Sequence, residues 1–359
     1  MNIKKLIKPF IIVLGILIGI VLIYFIYIFA TYNRIEDMQV LEISQESSLT
    51  DVQTNTTYTV LTQNLGFGAY TDDFTFFMDG GESSWAESKE SVVECISKSA
   101  EYITSVNPDF ILLQEIDINS TRSYYINQLD LLRNSFDGYQ EVFAQNYHSA
   151  FLMYPFNEPH GFCNAGIATY SKAPITSSIR RKLKISTSFS KFLDLDRCYS
   201  VSRIPVSNGK ELILYNVHLS AYGGSDEIRT SQMTMLFQDM KKEYDAGNYV
   251  LCGGDFNHDF TGNSTQMLND MDDNAFGWAK PFPSELLPEG ITRCIDYSNG
   301  ETIATSRNCD IPYGPDCFTV ILDGFLVSDN IKVSHLENVD HKFVYSDHNP
   351  VVMQFELVE

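Results

Sequence analysis

Apolar residues follow two repeating patterns along most of the chain. Short runs rich in β-branched and aromatic residues, bounded by turn-forming residues, predict strands. Two segments, 88–106 and 226–244, instead repeat apolar residues every three or four positions, which predicts amphipathic helices. Because the strand-like runs outnumber the helical segments and are not evenly interleaved with them, we predict an α/β (α+β) fold in which sheets pack together with helices outside. The strand-like runs are 57–65, 109–115, 166–170, 211–219, 249–253, 320–327 and 351–357.

The N-terminus carries a third pattern, an apolar run without any charge. Residues 11–30 are 20 consecutive uncharged residues, and at about 1.5 Å of helical rise each they cross the roughly 30 Å hydrocarbon layer of a membrane. Lys4, Lys5 and Lys8 precede the run, so the positive-inside bias predicts a single-pass cell-membrane protein with a cytoplasmic N-terminus and the remainder outside the cytoplasm. A cleaved signal peptide is the alternative, but the run exceeds a usual h-region and no A-x-A site follows it.

Two changes in composition divide the chain into three parts. Residues 1–32 form a cytoplasmic tip and a transmembrane anchor, and residues 33–56 are polar, acidic and rich in Ser and Thr, which is typical of a stalk. From 57 to 359 nothing repeats at a fixed period and no Pro/Gly/Ser linker interrupts the chain. We therefore expect one large domain over residues 57–359.

Charge and cysteine content narrow the chemistry of this domain. The 359 residues include 25 Lys and Arg against 46 Asp and Glu, which gives a net charge of −21. Such a surface repels nucleic acid at long range. The 44% hydrophobic content excludes a disordered chain. The 7 cysteines include no CxxC pair and no Cys/His spacing of a zinc module, so catalysis has to come from other residues.

Polar side chains mark the ends of several predicted strands, where a strand core would not choose them. A lone Asp or Glu at such a place is usually a turn former or a solvated charge, and a lone His in an apolar strand is usually a core residue with satisfied hydrogen bonds. Together they are harder to explain in this way, because buried carboxylates need cationic partners and these segments contain few Lys or Arg. The residues are Asn64, Glu115, His218, Asp255, Asn257, Asp323, Asp347 and His348.

A divalent metal ion would supply the missing positive charge. Oxygen ligands from Asn64, Glu115 and Asp347 suit Mg²⁺, which prefers one or two carboxylates together with water and substrate phosphate. We therefore predict Mg²⁺ as the cofactor, with Mn²⁺ as the alternative ion.

The segment GGDFN, residues 253–257, predicts a pair of catalytic side chains. Its two glycines allow a sharp turn and a close approach to a ligand. Asp255 and Asn257 lie two positions apart, so they project to the same side of an extended chain. One of them can accept a proton while the other donates to a developing oxyanion.

The segment SDHNP, residues 346–350, predicts a second pair. The adjacent Asp347 and His348 would diverge in a regular strand, so they can serve a metal ion and a phosphate separately. His348 then needs an acceptor that orients its ring, and Asp323 is available for that role.

These residues, in this order, resemble the endonuclease/exonuclease/phosphatase superfamily, which includes DNase I-like nucleases, abasic-site endonucleases, inositol polyphosphate 5-phosphatases and bacterial sphingomyelinases. No single motif is decisive, but GDFN followed by DHxP and preceded by QE and NxHL is specific as an ordered set. The resemblance runs from about Tyr58 to the end of the chain. Its segments are TQNLG with Asn64, ILLQEID with Glu115, NAGIATYSKAPI from Asn164, LYNVHLSAYGG with His218, GGDFNHD with Asp255 and Asn257, LDGFLVSDN with Asp323, and YSDHNPVVMQFEL with Asp347 and His348.

The resemblance implies a fold and a set of roles. The fold is a four-layer sandwich of two mixed β-sheets packed face to face with helices outside, and the activity is Mg²⁺-assisted phosphoester hydrolysis at the sheet edges. The implied roles are metal or near-metal ligands for Asn64, Glu115 and Asp347, water activation for Asp255 and Asn257, contact with the scissile phosphate for His348 held by Asp323, acid or base for His218, and support of that histidine by Asn164.

Arg122 follows Glu115 closely, where a loop could return its guanidinium to the phosphate. An exposed loop arginine is an equally good interpretation. Four other residues of this region could line a pocket but fit structural or surface positions better, namely Tyr124, Tyr125, His148 and His160.

Two long segments, 72–85 and 281–315, look peculiar to a subgroup, and we expect them to shape substrate access. Near the second segment Cys294, Cys309 and Cys317 could form one disulfide outside the cell.

The sequence favours a monomeric, membrane-tethered, extracytoplasmic, metal-dependent phosphoester hydrolase in which Asp255 activates the attacking water. A lipid head group or another small phosphoester is favoured over DNA, because the acidic chain is tethered to a bilayer and lacks a basic stripe. A DNase I-like nuclease is the first alternative, since net charge does not exclude a local basic groove. A catalytically silent binding or scaffold domain is the second, and it is disfavoured because it would have no need to retain all of these residues.

Overall fold

A computed structural model describes residues 3–44, 47–48, 50–192, 194–221, 225–269, 277–295 and 303–359. Its helices lie at the N-terminus and on the outer faces of two sheets. Within these ranges the α-helices are α1 (Ile3–Thr31), α2 (Lys89–Val106), α3 (Gln128–Ser135), α4 (Asp226–Asp245) and α5 (Ser264–Leu268).

The strands make up most of the remaining regular structure. In chain order they are β1 (Gln39–Val40), β2 (Ile43–Ser44), β3 (Thr57–Asn64), β4 (Phe110–Asp117), β5 (Gln140–His148), β6 (Asn164–Ser171), β7 (Ser177–Lys182), β8 (Cys198–Pro205), β9 (Glu211–His218), β10 (Tyr249–Asp255), β11 (Ile291–Cys294), β12 (Ser306–Arg307), β13 (Thr319–Val320), β14 (Asp323–Ser328), β15 (Ile331–Asn338) and β16 (Val351–Leu357).

Two seven-stranded mixed sheets form the centre of the domain. The first has the order β1-β7-β8-β9-β10-β14-β11, and the second has the order β15-β16-β3-β4-β6-β5-β2. In each sheet one central pair is parallel, β9 with β10 and β3 with β4, while the other neighbours are antiparallel. Helices α2 and α3 cover the second sheet and α4 covers the first, so the predicted four-layer sandwich is confirmed.

Central strand β4 shows why the sheets pack in this way. Its residues are apolar in succession, and alternate side chains point to opposite faces. Phe110 and Leu112 lie in the core between the two sheets, whereas Ile111 and Leu113 pack under α2. Strand β9 shows the same alternation. Leu212 faces the core between the two sheets, and the side chains after it point in turn toward α4 and back toward that core. Both faces of the central strands are therefore buried.

The predicted helices are confirmed with nearly the predicted ends. Helix α2 begins after Ser88, whose hydroxyl accepts a hydrogen bond from the backbone N–H of Ser91 at 3.0 Å. It ends at Asn107, which adopts a left-handed conformation with φ of 53°. The predicted strand over 320–327 is interrupted, since β13 ends at Val320 and β14 begins at Asp323.

Residues 33–56 do not form a free polar stalk over the part that the structure describes. Strand β1 extends the first sheet by pairing with β7, and strand β2 extends the second by pairing with β5. Val52 is only 1% exposed and bridges to Val206. Strands of two residues are too short to show a periodic pattern, which is why the composition alone suggested a stalk. The sandwich therefore begins well before residue 57.

Helix α1 is the one helix among the described residues that is long and apolar enough to cross a membrane, over Ile7–Thr31. A signal sequence would satisfy the same criteria of length and composition. Most of its large apolar side chains are exposed.

The expected disulfide among Cys294, Cys309 and Cys317 does not form. All of the cysteines are free thiols. Cys294 packs against the core between the sheets from β11. The Sγ atoms of Cys309 and Cys317 instead contact the backbone carbonyls of Arg307 and Asn308, at 3.8 and 3.3 Å.

Candidate active site

The register of the sheets brings the predicted catalytic residues together. His218 and Asp255 are the last residues of the parallel strands β9 and β10, and they lie opposite each other. Asp323 is the first residue of the antiparallel strand β14, and it lies opposite Asp255 on the other side. Asn64 and Glu115 come from the equivalent ends of β3 and β4 in the second sheet. Carboxyl ends of parallel strands thus meet at one edge of the sandwich.

A cavity of about 330 Å³ opens at this edge. Asn64 and Asp323 do not line the cavity but form hydrogen bonds with residues that do. The predicted residues that line the cavity are Glu115, Arg122, His218, Asp255, Asn257, Asp347 and His348.

Asn64 bridges carboxylates of both sheets. Its Nδ2 donates to Glu115 Oε1 at 3.2 Å and to Asp255 Oδ2 at 3.1 Å. Its Oδ1 accepts a hydrogen bond from the backbone N–H of Gly66 at 2.9 Å. In this arrangement the amide of Asn64 orients two carboxylates and its oxygen faces the backbone.

Asp255 is fully enclosed and is held from both of its oxygens. The backbone N–H of Asn257 donates to Asp255 Oδ1 at 2.8 Å, and Asn257 Nδ2 lies 3.2 Å from Oδ2. Burial, together with the negative charge of Asp323, raises the pKa of Asp255 to about 7, against the opposing charge of His348. A carboxylate with such a pKa is suited to accept and release a proton near neutral pH.

Gly254 lets strand β10 lie close to strand β9 just before Asp255. This glycine has φ of +140°, and a Cβ atom there would lie 2.1 Å from the carbonyl oxygen of Val217. The paired glycines predict a sharp turn and an approach to a ligand, whereas here Gly254 lies in a paired strand and its close neighbour is the backbone of β9.

His348 is an oriented imidazolium. Its Nδ1 contacts Asp323 Oδ2 at 2.7 Å, and its Nε2 lies 3.3 Å from Ser306 Oγ. Burial disfavours the charged ring, but the hydrogen bond and charge of Asp323 and the charge of Asp347 raise the pKa of His348 well above its usual value. The predicted pair of His348 and Asp323 is therefore present, and it can donate a proton to a phosphate oxygen.

His218 has the opposite electrostatic environment. Its Nε2 lies 3.7 Å from Glu115 Oε1 and 3.6 Å from Asp255 Oδ2. Burial and the positive charges of Arg197 and His348 lower the pKa of His218 well below its usual value, so the ring is neutral at pH 7. His218 and His348 thus differ in charge.

Glu115 and Asp347 form the part of the cavity that suits a divalent cation. Burial and the neighbouring charge of Glu115 raise the pKa of Asp347 to about 7, despite the positive charges of His348 and Arg307. Gly66 leaves space beside this carboxylate, since a Cβ atom there would lie 2.6 Å from Asp347 Oδ1. Crowded oxygen donors with excess negative charge match the preference of a hard cation.

A second group, Asp255, Asp323 and His348, has ligand atoms within 4.8 Å of one another and could also hold a metal ion. The hydrogen bond between His348 and Asp323 occupies the ring nitrogen and one carboxylate oxygen of this group. This makes a proton-donating role more consistent with its geometry than metal binding.

Arg122 is neither an exposed loop residue nor a free phosphate ligand. It is 7% exposed, its Nε and Nη2 donate to the carboxylate of Asp117 at 3.1 and 2.9 Å, and its guanidinium lies 3.8 Å from the centre of the Phe67 ring. Because it lines the cavity, it adds a fixed positive charge there.

Asn164, the first residue of β6, is bonded to Gln145 and Ser120. Its Oδ1 accepts a hydrogen bond from Gln145 at 3.1 Å, and its backbone N–H donates to Ser120 at 2.9 Å. Its neighbour Ala165 lines the cavity, whereas Asn164 is not among the lining residues of the described chain. Support of His218 by Asn164 therefore remains a prediction.

Several residues that line the cavity lie outside the polar strand-end pattern and are not predicted from the sequence. Arg197 and Arg307 line it, and the backbone N–H of Arg307 donates to the carbonyl of Asp347 at 3.1 Å. Tyr147 and Leu195 also line it. His160 lines it too, although the sequence favours a structural or surface position for this residue. Lone arginines and aromatic residues in loops carry no strand-end signal that could have revealed them.

The segments 72–85 and 281–315 meet over the cavity. The backbone N–H of Phe76 donates to the carbonyl of Cys309 at 2.7 Å, and that of Tyr313 donates to the carbonyl of Asp72 at the same distance. Phe76 lines the cavity from the first segment. The described parts of both segments thus contribute residues to the cavity lining.

Comparisons with known proteins agree with this geometry. An enzyme described as endonuclease/exonuclease/phosphatase from Beutenbergia cavernae is similar in structure, with a TM-score of 0.54 and 14% identity, over 84% of this chain and 72% of that one. The human Nocturnin catalytic domain, solved with a bound sulfate anion, gives a TM-score of 0.53 and 17% identity over 89% and 98% of the two chains. An endonuclease/exonuclease/phosphatase family protein from Leptotrichia buccalis gives a TM-score of 0.52 and 16% identity, over 84% of this chain and 100% of that one.

At these identities the structural likeness shows the fold alone. Among curated proteins none matches the chain. The family model described as "Endonuclease/Exonuclease/phosphatase family" matches residues 61–348, which is most of the chain and contains every residue that lines the cavity. The chain therefore belongs to the endonuclease/exonuclease/phosphatase family, whose members are metal-dependent phosphoester hydrolases.

Proposed function

We propose that this protein is a membrane-tethered hydrolase of small phosphoesters or lipid head groups. The observation that carries the proposal is the meeting, in one cavity, of the buried acceptor Asp255, the imidazolium of His348 and the acidic pair Glu115 and Asp347. An acceptor, a donor and a cation site on one reacting centre are what attack of water on a phosphate requires.

Glu115 and Asp347 would hold a divalent ion, with Mg²⁺ the expected metal and Mn²⁺ the alternative. Such an ion, when bound, neutralises charge on the phosphate oxygens. Asn64 fixes the direction of Glu115 through its 3.2 Å hydrogen bond. The position of Ser346 supports the same arrangement, since its hydroxyl donates to the carbonyl of Asn64 at 2.8 Å.

Asp255 takes the proton of the attacking water. Asn257 keeps both oxygens of Asp255 in place, and its own carbonyl accepts a hydrogen bond from Arg229 at 2.6 Å. His348, whose Nε2 lies 3.9 Å from Asp255 Oδ2, donates to a phosphate oxygen, and Asp323 keeps its ring charged. His218 is neutral and 3.6 Å from Asp255 Oδ2, so it can accept a hydrogen bond or hold a proton during turnover.

The size and charge of the cavity favour a small phosphoester over a nucleic acid duplex. Its volume of about 330 Å³ is in the range of small-molecule sites. Arg122, Arg197 and Arg307 place positive charge among the five acidic residues that also line it, while the chain as a whole carries −21. These features support a local phosphate site without a long basic track along the surface.

Helix α1 supports the tether, and Lys4, Lys5 and Lys8 at its N-terminal end support an extracytoplasmic catalytic domain. We expect the protein to act as a monomer. Protease added to intact cells should remove the domain. Protection in intact cells with digestion only after lysis would reverse the orientation.

A substrate panel tests the activity. The full-length protein in detergent would be given nitrophenyl phosphomonoester, nitrophenyl phosphodiester, sphingomyelin and plasmid DNA, each with Mg²⁺, Mn²⁺ or EDTA. We expect turnover of a small phosphoester with either ion and none with EDTA. Turnover that continues in EDTA, or cleavage of plasmid DNA alone, would contradict the proposal.

A further inference from the structure

Four large apolar side chains form an exposed patch beside the end of helix α1 that joins the domain. We define this apolar rim by Met153, Tyr154, Phe156 and Phe189, which are 43%, 66%, 82% and 50% exposed. Scattered exposed apolar residues need no explanation, but several together on one face usually mark an interaction surface.

The loop that carries the rim is bonded to the interior of helix α1. Tyr24 Oη donates to the carbonyl of Phe151 at 3.0 Å and accepts from the backbone N–H of Met153 at 3.1 Å. The backbone N–H of Phe151 also donates to Tyr27 Oη at 3.0 Å. Two tyrosines of the apolar helix thus satisfy loop backbone groups, which is needed wherever water is scarce.

These contacts fix the depth of the loop along the helix. Tyr24 lies seven residues before the end of α1 at Thr31, or about 10 Å along the axis. The candidate span of 25 residues is about 37 Å long, which exceeds the roughly 30 Å hydrocarbon layer by only about 7 Å. If α1 crosses a membrane, the loop at Phe151 therefore lies at or just below the hydrocarbon boundary, where tyrosines are enriched.

The other side of the rim is attached to the same helix end. The ring of Phe189 packs edge-on against Phe25 at 5.8 Å and Phe29 at 6.4 Å. Arg34, just beyond the helix, donates to Asp196 at 2.7 Å, so the domain leaves the helix without a flexible linker. The rim cannot move far from the plane in which α1 ends.

A continuous row of aromatic rings connects the rim to the cavity. Phe156 contacts Tyr154 with ring centres 6.1 Å apart, Tyr154 contacts Phe77 at 5.9 Å, and Phe77 contacts Phe76, which lines the cavity, at 5.0 Å. His160 lies beside Phe77 at 5.6 Å. Burial, with the charge of Arg122, lowers the pKa of His160 to about 3, so its ring is uncharged and does not interrupt this path.

We propose that the apolar rim inserts into the leaflet in which α1 ends, so that the cavity receives the phosphoester head group of a lipid from that same leaflet. The rim is apolar rather than basic and the chain carries −21, so the contact does not depend on anionic lipids. The substrate part of this inference rests on the proposed function. The insertion of the rim does not, because it follows from contacts outside the catalytic residues.

Tryptophan quenching tests the insertion independently of activity. Full-length protein with Phe156→Trp would be placed in phosphatidylcholine vesicles that contain brominated lipid, and the emission of the unsubstituted chain would be subtracted. The matched control is Val93→Trp, on the outer side of α2, a helix that packs against α3. We expect brominated lipid to quench the added emission at position 156 and not at position 93. Equal emission with and without brominated lipid at position 156 would overturn the insertion, and would leave a protein partner as the occupant of the rim.

Kinetics test the substrate. For Phe156→Ser combined with Tyr154→Ser, the ratio of turnover on sphingomyelin or phosphatidylcholine in vesicles to turnover on soluble nitrophenyl phosphodiester should fall about tenfold or more, given the apolar area removed. Val93→Ser should leave the ratio unchanged. Quenching at position 156 with soluble turnover but no lipid turnover would refute the lipid substrate alone. Quenching with no turnover of any phosphoester would refute the proposed function and leave the insertion standing.

Discussion

The floor and the wall of the cavity are built in different ways. The floor consists of strand ends, where the register of β9, β10 and β14 places His218, Asp255 and Asp323 side by side. The wall includes residues from loops and short strands, such as Arg197 in the segment before β8 and Arg307 in the two-residue strand β12. A strand end is fixed by backbone pairing along its whole length, whereas a loop residue is fixed by a few tertiary contacts. The catalytic residues therefore lie on the rigid floor, whereas the residues that select the substrate lie on the more variable wall.

Asp255→Asn gives the largest expected effect, because it removes the proton acceptor from the floor while keeping nearly the same shape. We expect turnover to fall about 10² to 10⁴-fold, which corresponds to about 3 to 5 kcal/mol of barrier. Rates and thermal melts would be measured on the same samples, with exposed Asp245→Asn as the matched control. A wild-type rate in a stably folded Asp255→Asn protein would remove this residue from the mechanism.

Asp323→Asn tests whether the floor sets the charge of His348. Loss of the carboxylate charge at this 2.7 Å contact lets the pKa of His348 fall toward the ordinary value of about 6.5. A group with a raised pKa keeps its proton to higher pH, so the wild type should stay active where the variant loses activity as pH rises above about 6.5. We expect turnover at pH 8 to fall roughly 10²-fold. Identical pH profiles for the two proteins would show that Asp323 does not act through His348.

The floor could be predicted from the sequence because apolar strands that end in Asn64, Glu115 or Asp255 leave a visible signal. Registers of parallel pairs then bring such ends together without further information. The wall could not be predicted, because nothing local to Arg197 or Tyr147 indicates which loops fold over the site. The two-residue strands β1 and β2 are too short to give a periodic pattern, so composition alone predicts a stalk for the segment that contains them.

Asp196 connects the wall to helix α1, and its titration should loosen that connection. Burial favours the neutral form, yet the contact with His148 Nε2 at 3.5 Å, a hydrogen bond from the backbone N–H of Ile35 and the charges of Arg180 and Arg34 lower the pKa of Asp196 to about 2. An acid with a lowered pKa contributes stability above its unfolded value of about 3.9, and that stability is lost as pH falls from about 4 to 2.

Hydrogen exchange at the amide of Ile35, which donates to Asp196 Oδ2 at 2.7 Å, measures this connection. We expect Asp196→Asn to lower the protection of the Ile35 amide against exchange by about 2 kcal/mol at pH 7. The protection should then no longer depend on pH below 4. Equal protection in the two proteins would mean that other contacts fix the domain to the helix.

Met78→Ala should give the smallest effect, because Met78 lines the wall while remaining 56% exposed. Removing such a side chain costs about 1 kcal/mol of contact with substrate, or a few-fold rise in KM, with kcat unchanged. Steady-state kinetics on the best substrate of the panel would measure both constants. A fall in kcat comparable to that of Asp255→Asn would erase the distinction between wall and floor.

Hydrolysis in H₂¹⁸O tests the central claim most directly, since the account requires water activated by Asp255 to attack phosphorus. The full-length protein would turn over the preferred phosphoester with Mg²⁺, and mass spectrometry would locate the label. The account predicts one ¹⁸O atom in the phosphate product for each bond cleaved and none in the alcohol. Label in the alcohol, or product formed without any label, would contradict it.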